Sequence, residues 1–454
     1  MCNRCLSFVL FLTLFVFASS CKNNPSGNDE GEFFEINSWI HANMEFYYFW
    51  NERVPEEPNG SIPTDDFFFS MLDPADEFSY YSNDAQSLLE ELNGSSFTAG
   101  FSPSFRRFQD TDDVFIVVEF VYPDSPAAEA GIKRGDLIKS INGEALTISN
   151  YLDLYYDESA VNTYTLAEFG QEENTLEETE TVELTKAELN LDPVVYSDII
   201  EDNGIKIGYL FYARFLTGNS DQFIASVDNV LSEFEGAGVD ELVIDLRYNP
   251  GGRISAATNL ANSIAPNSVT SNEEVFVRYE YNEELENYYI ENQGLDSPNL
   301  VARFSEDPTN LNLSRVYFLT TSGSASASEL LINGLNPYME VISIGTPTFG
   351  KFYGSYVITG QNANPPNNYA VVPVTLKYAN ADGFSDFRGG LLPDHNIEED
   401  IRDFKPIGDT TDVMFAKAIQ LITGGEEPPA KVSPIVVERL PDPVRFGRGN
   451  ILFE

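Results

Sequence analysis

Residues 315–331 read Arg-Val-Tyr-Phe-Leu-Thr-Thr-Ser-Gly-Ser-Ala-Ser-Ala-Ser-Glu-Leu-Leu, and residues 345–351 read Gly-Thr-Pro-Thr-Phe-Gly-Lys. Val316 to Leu319 is a short apolar run that reads as a buried strand. Thr321 to Ser328 are small residues with no bulk to obstruct a tight turn. Glu329-Leu330-Leu331-Ile332 then begins a helical pattern. Strand, sharp turn and helix in succession lift a side chain off the backbone and set it at a helix N-terminus. There the dipole and the free N–H groups favour developing negative charge. A serine in this turn is well placed to act as a nucleophile.

The flanking sequence gives this turn an α/β setting. Ile205 to Leu210 reads as a strand. Ser220 is the expected cap of a helix whose apolar positions, Phe223, Ile224, Val227, Val230, Leu231 and Phe234, follow a 3.6-residue period. Glu241 to Arg247 is a strand that leads into Tyr248-Asn249-Pro250-Gly251-Gly252 and a further helix. Residues 267–313 are polar, acidic and tyrosine-rich, and read as a surface insertion or a lid. Strands follow at 341–344 and 369–378, then a helix at 412–422 closed by Gly424-Gly425. Beyond Glu426 the chain has five prolines and little periodicity.

Towards the N-terminus the pattern changes. Ile36, Ile40, Met44, Tyr47 and Tyr48 recur at helical spacing, and two shorter helical pieces follow, at about 65–72 and 86–92. These make a small helical domain whose aromatic residues read as core. Between 95 and 190 the signals are strands and turns: Val114 to Val118 is a strand, residues 124–131 a short helix ended by glycine, and Asn142-Gly143 a turn. Residues 162–188, rich in Glu and Thr, read as an edge hairpin.

The whole chain has 454 residues and a net charge of −46, with no acidic block long enough to form a separate tail. Such a surface argues against nucleic acid and against anionic membranes, since both need clustered Lys and Arg. The first 21 residues read as a targeting segment, with Arg4 followed by an apolar run from Phe8 to Ala18. Ala18-Ser19-Ser20-Cys21 resembles a bacterial lipobox, with Ala18 where leucine is commoner. The resemblance implies cleavage before Cys21 and lipidation of that cysteine. Cys2 and Cys5 lie in the removed segment, so the mature chain would hold neither free thiol nor disulfide.

The chemistry of the turn depends on its partner. There are two histidines, His41 in the N-terminal helix and His395 in a loop, which leaves little room for a Ser-His-Asp triad. A lysine can serve as base once burial removes its charge. Lys351, flanked by Phe349, Phe352 and Tyr353, is the candidate. Asn380-Ala381-Asp382-Gly383 hints at a calcium loop but lacks the alternating ligands and closing Glu, so it reads as a turn. No cofactor or metal site is expected.

Three motifs, "DLRYNPGG" at 245–252, "SGSASASELL" at 322–331 and "GTPTFGK" at 345–351, resemble those of the C-terminal processing (tail-specific) peptidases, a Ser/Lys family. The string "SPAAEAGIKRGDLIKSINGEAL" at 125–146 resembles a PDZ domain, a module that binds free peptide C-termini as an added strand. By position, Thr98, Ala99, Gly100 and Phe101 resemble its carboxylate-binding loop. The family resemblance implies Ser326 as nucleophile and Lys351 as general base. It also implies an oxyanion hole from Ala327 N–H and one of Gly251 or Gly252. Asn249 and Pro250 would shape the glycine turn, with Asp245 and Arg247 structural. Ser324 and Ser328 would be packing residues. Two positions depart from the family: Pro337 stands where many members have Asp, and Ser355 where many have Gln, which makes Ser355 a candidate third member.

The expected protein is therefore a multidomain α/β (α+β) chain. Its parts are a lipoprotein signal peptide (1–21), a tether (22–32) and a small helical N-terminal domain (33–94). A PDZ domain (95–192), a Ser/Lys peptidase core (193–425) and a C-terminal tail (426–454) follow. The expected function is a lipid-anchored serine endopeptidase of the bacterial cell envelope. It would act on protein or peptide substrates with free, apolar C-termini. The alternatives are a catalytically weak or inactive PDZ-type peptide-binding lipoprotein, and a Ser/Lys hydrolase of other esters or amides.

Overall fold

The computed structural model describes residues 31–172, 174–425 and 437–442. Its centre is a six-stranded sheet in the order Val194–Asp202, Ile205–Tyr212, Glu241–Asp245, Arg315–Thr320, Glu340–Gly345, His395–Asn396. The first pair is antiparallel and every later pair is parallel. Parallel strands are covered on both faces and so read as continuous apolar runs, as Leu242-Val243-Ile244 and Val316 to Leu319 do. Alternate residues face opposite layers. Leu242, Ile244 and Leu246 pack with the helices Gln222–Ala237, Ile254–Ile264 and Ala327–Leu335. Val243, Tyr317 and Leu319 pack with Met414, Phe415 and Ala418 of the helix Val413–Thr423.

This topology positions the site. Strands Glu241–Asp245, Arg315–Thr320 and Glu340–Gly345 are neighbours and run in one direction. Their carboxyl ends therefore open on the same edge, where ligands of open α/β sheets bind. The first feeds the glycine turn, the second the serine turn and the third the segment ending at Lys351.

Residues 267–313 are neither an insertion nor a lid. Strand Val275–Glu280 pairs with Val374–Asn380 in a second, four-stranded sheet. Phe276, Val277, Tyr279, Tyr281, Leu285 and Phe304 lie in the main core. The polar look comes from Arg278 and Glu280, which alternate outward from buried neighbours. Ser220 is also not a cap: it has φ 54°, and the helix begins after Asp221 with no side-chain bond at its N-cap.

The N-terminal helices Phe34–Tyr47 and Thr64–Ser70 pack Ile40, Met44, Phe67 and Phe68 into the same core as the central sheet. Residues 101–185 form a separate antiparallel sheet around Phe105, Ile116, Val118 and Ile138, with short helices at Pro126–Glu129 and Tyr151–Tyr155. The supposedly featureless tail returns to this sheet. Val437–Arg439 pairs antiparallel with Phe108–Arg106 on its edge.

A buried charge network joins the two bodies. Arg247 is fully buried and bonds Asp245, Asp412 (2.9 Å) and Glu399 (2.8 Å). Arg134, from the antiparallel-sheet domain, also reaches Glu399 and donates to Tyr248 Oη, Glu119 C=O and Lys405 C=O. Burial opposes the Arg247 charge, but the three carboxylates outweigh it and raise its pKa. Among the described residues no helix is long and apolar enough to cross a membrane. Cys21 lies outside the described residues.

Candidate active site

Ser326 occupies the expected turn, between strand Arg315–Thr320 and helix Ala327–Leu335. Its backbone has φ 59° and ψ −111°. A positive φ on a side-chain-bearing residue is strained and persists only where the surroundings enforce it. Here Ala325 N–H donates to Asn249 C=O at 3.0 Å, and Phe349 N–H to Ser324 C=O at 3.0 Å. The three neighbouring serines differ in one respect. Ser324 Oγ donates to Leu246 C=O (2.7 Å) and Ser328 Oγ to Asn249 C=O (3.0 Å), whereas the buried Ser326 Oγ has no hydrogen-bond partner among the described residues.

Lys351 is 1% exposed. Its Nζ lies 4.6 Å from the centroid of Phe78, a ring supplied by the segment after the second N-terminal helix. Burial depresses its pKa from 10.5 to about 7, opposed by the charges of Asp76 and Glu329. Asp76 holds its own loop, its Oδ1 accepting from Phe78 N–H and Ser79 N–H at 2.9 Å each.

Two side chains tie Ser326 to Lys351. The buried Glu329 carboxylate accepts from Ser326 N–H (2.8 Å) and Lys351 N–H (2.9 Å) on Oε2. Its Oε1 accepts from Thr348 Oγ1 (2.5 Å) and Gly350 N–H (2.6 Å). Burial raises its pKa to about 7 against these four bonds. Tyr378 Oη lies 3.2 Å from both Ser326 C=O and Lys351 C=O, facing them with one donor. One acceptor and one donor thus fix both backbones. Sequence reasoning missed Glu329, although Ser326-Ala327-Ser328-Glu329 has the spacing of a helix-capping box. It missed Asp76 and Phe78 because nothing local marks a contact so distant in the chain.

The glycine turn faces the serine turn. A Cβ on Gly251 would lie 2.7 Å from Ser326 Cβ and 2.9 Å from Ala327 N. Gly251 N–H donates to Asn249 Oδ1 at 2.9 Å, and Asn249 Nδ2 donates to Tyr212 C=O at 2.8 Å. Pro250, next in the turn, lines the large cleft described below. Gly252, at φ 141°, pairs with Phe215. Ser355 ends the strand Tyr353–Ser355, buried against Val374. Pro337 lies just past the serine helix.

In the antiparallel-sheet domain, Gly100 (φ 88°) makes the turn between Thr98 and Phe101, and its N–H donates to Thr98 Oγ1 at 3.2 Å. Ala99 C=O and Gly100 C=O accept from Ala127 N–H and Tyr122 N–H at 2.9 Å each, which pins the loop to its own core. A cleft of about 430 Å³ runs from Thr98, Ala99 and Phe101, past Tyr155, to Tyr248 and Pro250 beside the glycine turn.

An unbonded serine on a strained strand–helix turn, facing a glycine turn and coupled to a desolvated lysine, is the layout of a serine-hydrolase site on an α/β sheet. Residues 206–397 match the family model for peptidase family S41. Residues 35–80 match the peptidase S41 N-terminal domain, and 117–159 a PDZ domain. The chain belongs to peptidase family S41. It is 25% identical over 308 residues to a carboxyl-terminal-processing protease of Picosynechococcus sp., covering 66% of this chain and 65% of that one. It is 27% identical over 309 residues to the protein of the same name from Synechocystis sp., covering 66% and 63%. The matched stretch thus spans just under two thirds of these curated relatives. A Bacteroides fragilis crystal structure assigned to the S41 proteases superposes with a TM-score of 0.68 and 25% identity, over 85% of this chain and 97% of that one.

Proposed function

We propose that this protein is a serine endopeptidase that recognises free C-termini through its PDZ domain and cleaves with Ser326 and Lys351. The observation that carries the reading is the burial of Lys351, which brings its pKa to about 7 beside a serine whose hydroxyl is uncommitted. Neutral Lys351 takes the Ser326 proton as Oγ attacks the scissile carbonyl, and the resulting ammonium protonates the leaving amine. Water then hydrolyses the acyl-enzyme by the reverse relay. The oxyanion is held by Ala327 N–H and Gly252 N–H, since Gly251 N–H is committed to Asn249. Ser355, buried at the end of the strand Tyr353–Ser355, stays the candidate third member, while Glu329 and Tyr378 hold the lysine's backbone.

The cleft from the Thr98–Phe101 loop to Pro250 supports delivery of a captured C-terminus towards the serine. The names of the cyanobacterial relatives support a C-terminal processing role. Lipidation at Cys21, after removal of a signal peptide, would anchor the enzyme in a bacterial cell envelope, on the outer membrane with the active domains on its periplasmic or outer face.

The test uses residues 22–454 and an unfolded protein with a free or masked apolar C-terminus. Cleavage lost in Ser326→Ala and Lys351→Ala, and weakened by masking, supports the reading. Tight binding of the free C-terminus without cleavage by the parent sinks the enzyme and leaves a peptide-capturing module.

A further inference from the structure

A PDZ-type sheet takes its ligand as a strand added beside one edge strand, under a helix, with the ligand's C-terminus at the loop that precedes that strand. Here the edge strand is Phe101–Phe108, the helix is Tyr151–Tyr155 and the loop is Thr98–Phe101. The place is partly filled by the chain itself. Val437, Glu438 and Arg439 pair with Phe108, Arg107 and Arg106, so the tail runs antiparallel, towards the loop. Leu440 N–H continues the ladder to Phe105 C=O at 2.9 Å. The Leu440 side chain is 8% exposed and packs in the same cluster as Phe105 and Tyr151. From the helix side, Tyr151 Oη donates to Pro441 C=O at 2.7 Å, and Tyr156 Oη to the Asp442 carboxylate at 2.9 Å. Charges hold the flanks: Arg107 pairs with Glu438, and Arg439 with Glu119 at 3.0 Å. Asp442 reaches the mouth of the large cleft, beside Ser102 and Pro103.

We propose that residues 437–442 are a tethered ligand of this groove, and that a substrate C-terminus engages it by displacing them. The polarity, the ladder and the buried leucine are those of a bound peptide. They define the ligand class as an extended peptide with an aliphatic side chain at the Leu440 place and its C-terminus directed into the cleft. Tethering by its own chain gives the segment an effective concentration in the millimolar range, so a segment whose own intrinsic Kd is roughly 100 μM lowers a competing peptide's apparent affinity about tenfold. The consequence for substrates rests on the peptidase reading above; the occupancy itself does not.

The experiment therefore scores binding in Ser326→Ala protein, where cleavage plays no part. A labelled peptide of residues 433–446 and an unrelated peptide with an apolar free C-terminus are titrated into Ser326→Ala and into Ser326→Ala/Leu440→Asp. The expected result is an affinity gain of about tenfold for both peptides in the second protein. Because Leu440→Asp could disturb the domain, the intact-tail protein provides a second measurement. In it the two peptides compete, and a 433–446 peptide carrying the same Leu440→Asp change does not. No gain in affinity with a lowered Tm, or a lack of competition, overturns the proposal and makes the segment a fixed strand of the sheet. In the Ser326 enzyme the same Leu440→Asp change lowers KM and leaves kcat unchanged.

Discussion

Replacing Lys351 by methionine should make the protein more stable at neutral pH while removing the base. The amine is 1% exposed and its pKa in the folded chain is about 7, against 10.5 for the ordinary group. The folded value is the lower one, so between these limits the unfolded chain holds a proton that the folded chain has released. Stability therefore rises with pH across that window, and the cost of burying the amine is complete below pH 7. At 1.36 kcal/mol per pH unit of displacement, that cost is about 4 kcal/mol at pH 7 and about 1 kcal/mol at pH 9.5. Methionine fills a similar unbranched volume without the charge. Urea unfolding of both proteins at pH 7 and pH 9.5 measures the two differences. A Lys351→Met protein no more stable than the parent at pH 7, or equally stabilised at both pH values, would refute the claim that the amine is held desolvated.

The same displacement sets the pH profile: kcat/KM should rise through about pH 7 as the Lys351 ammonium loses its proton, and Asp76→Asn should move that limb to lower pH by removing a charge that favours the ammonium. Glu329→Gln replaces one carboxylate oxygen by an NH2, set either against the N–H groups of Ser326 and Lys351 or against that of Gly350; a destabilisation of about 3 kcal/mol by denaturation is expected, with kcat down at least about a hundredfold because the common anchor of serine and lysine is weakened. Gly252→Ala would set a Cβ 2.0 Å from Phe215 C=O, displacing the oxyanion donor, and kcat should fall by about 10²–10³ with KM little changed.

What the sequence conveyed depended on range. The strand–turn–helix at 315–335 was legible because an apolar run, a stretch of small residues and a helical period lie next to one another. Lys351 was legible in part: its aromatic flanks and the scarcity of histidines made it the candidate base, but a lone lysine carries no sure mark of burial, and the family resemblance decided. The lysine's burial depends on Phe78, brought from the N-terminal helices by tertiary packing. Residues 267–313 were misread because Arg278 and Glu280 coloured a strand whose other residues are buried. Val437–Arg439 was missed because three residues are too few for a period to appear.

The contact of Arg134 with the core has a consequence for motion. Its guanidinium spans the two bodies at a site shielded from solvent, where mobile ions do not screen it. A swing of the PDZ domain must leave Glu399 with one cation fewer, so the domain behaves as a latched door rather than a free hinge, and salt should not loosen the catch. Glu119 sits on both sides of that catch. Its carbonyl receives Arg134 and its carboxylate receives Arg439 of the tail. Whatever lifts the tail from the groove therefore changes the surroundings of the latch, and by thermodynamic reciprocity an unlatched domain should hold its tail differently. A double-mutant cycle between Arg134→Lys and Arg439→Ala, read by peptide affinity, would show a coupling energy; strict additivity would mean that groove and latch ignore each other.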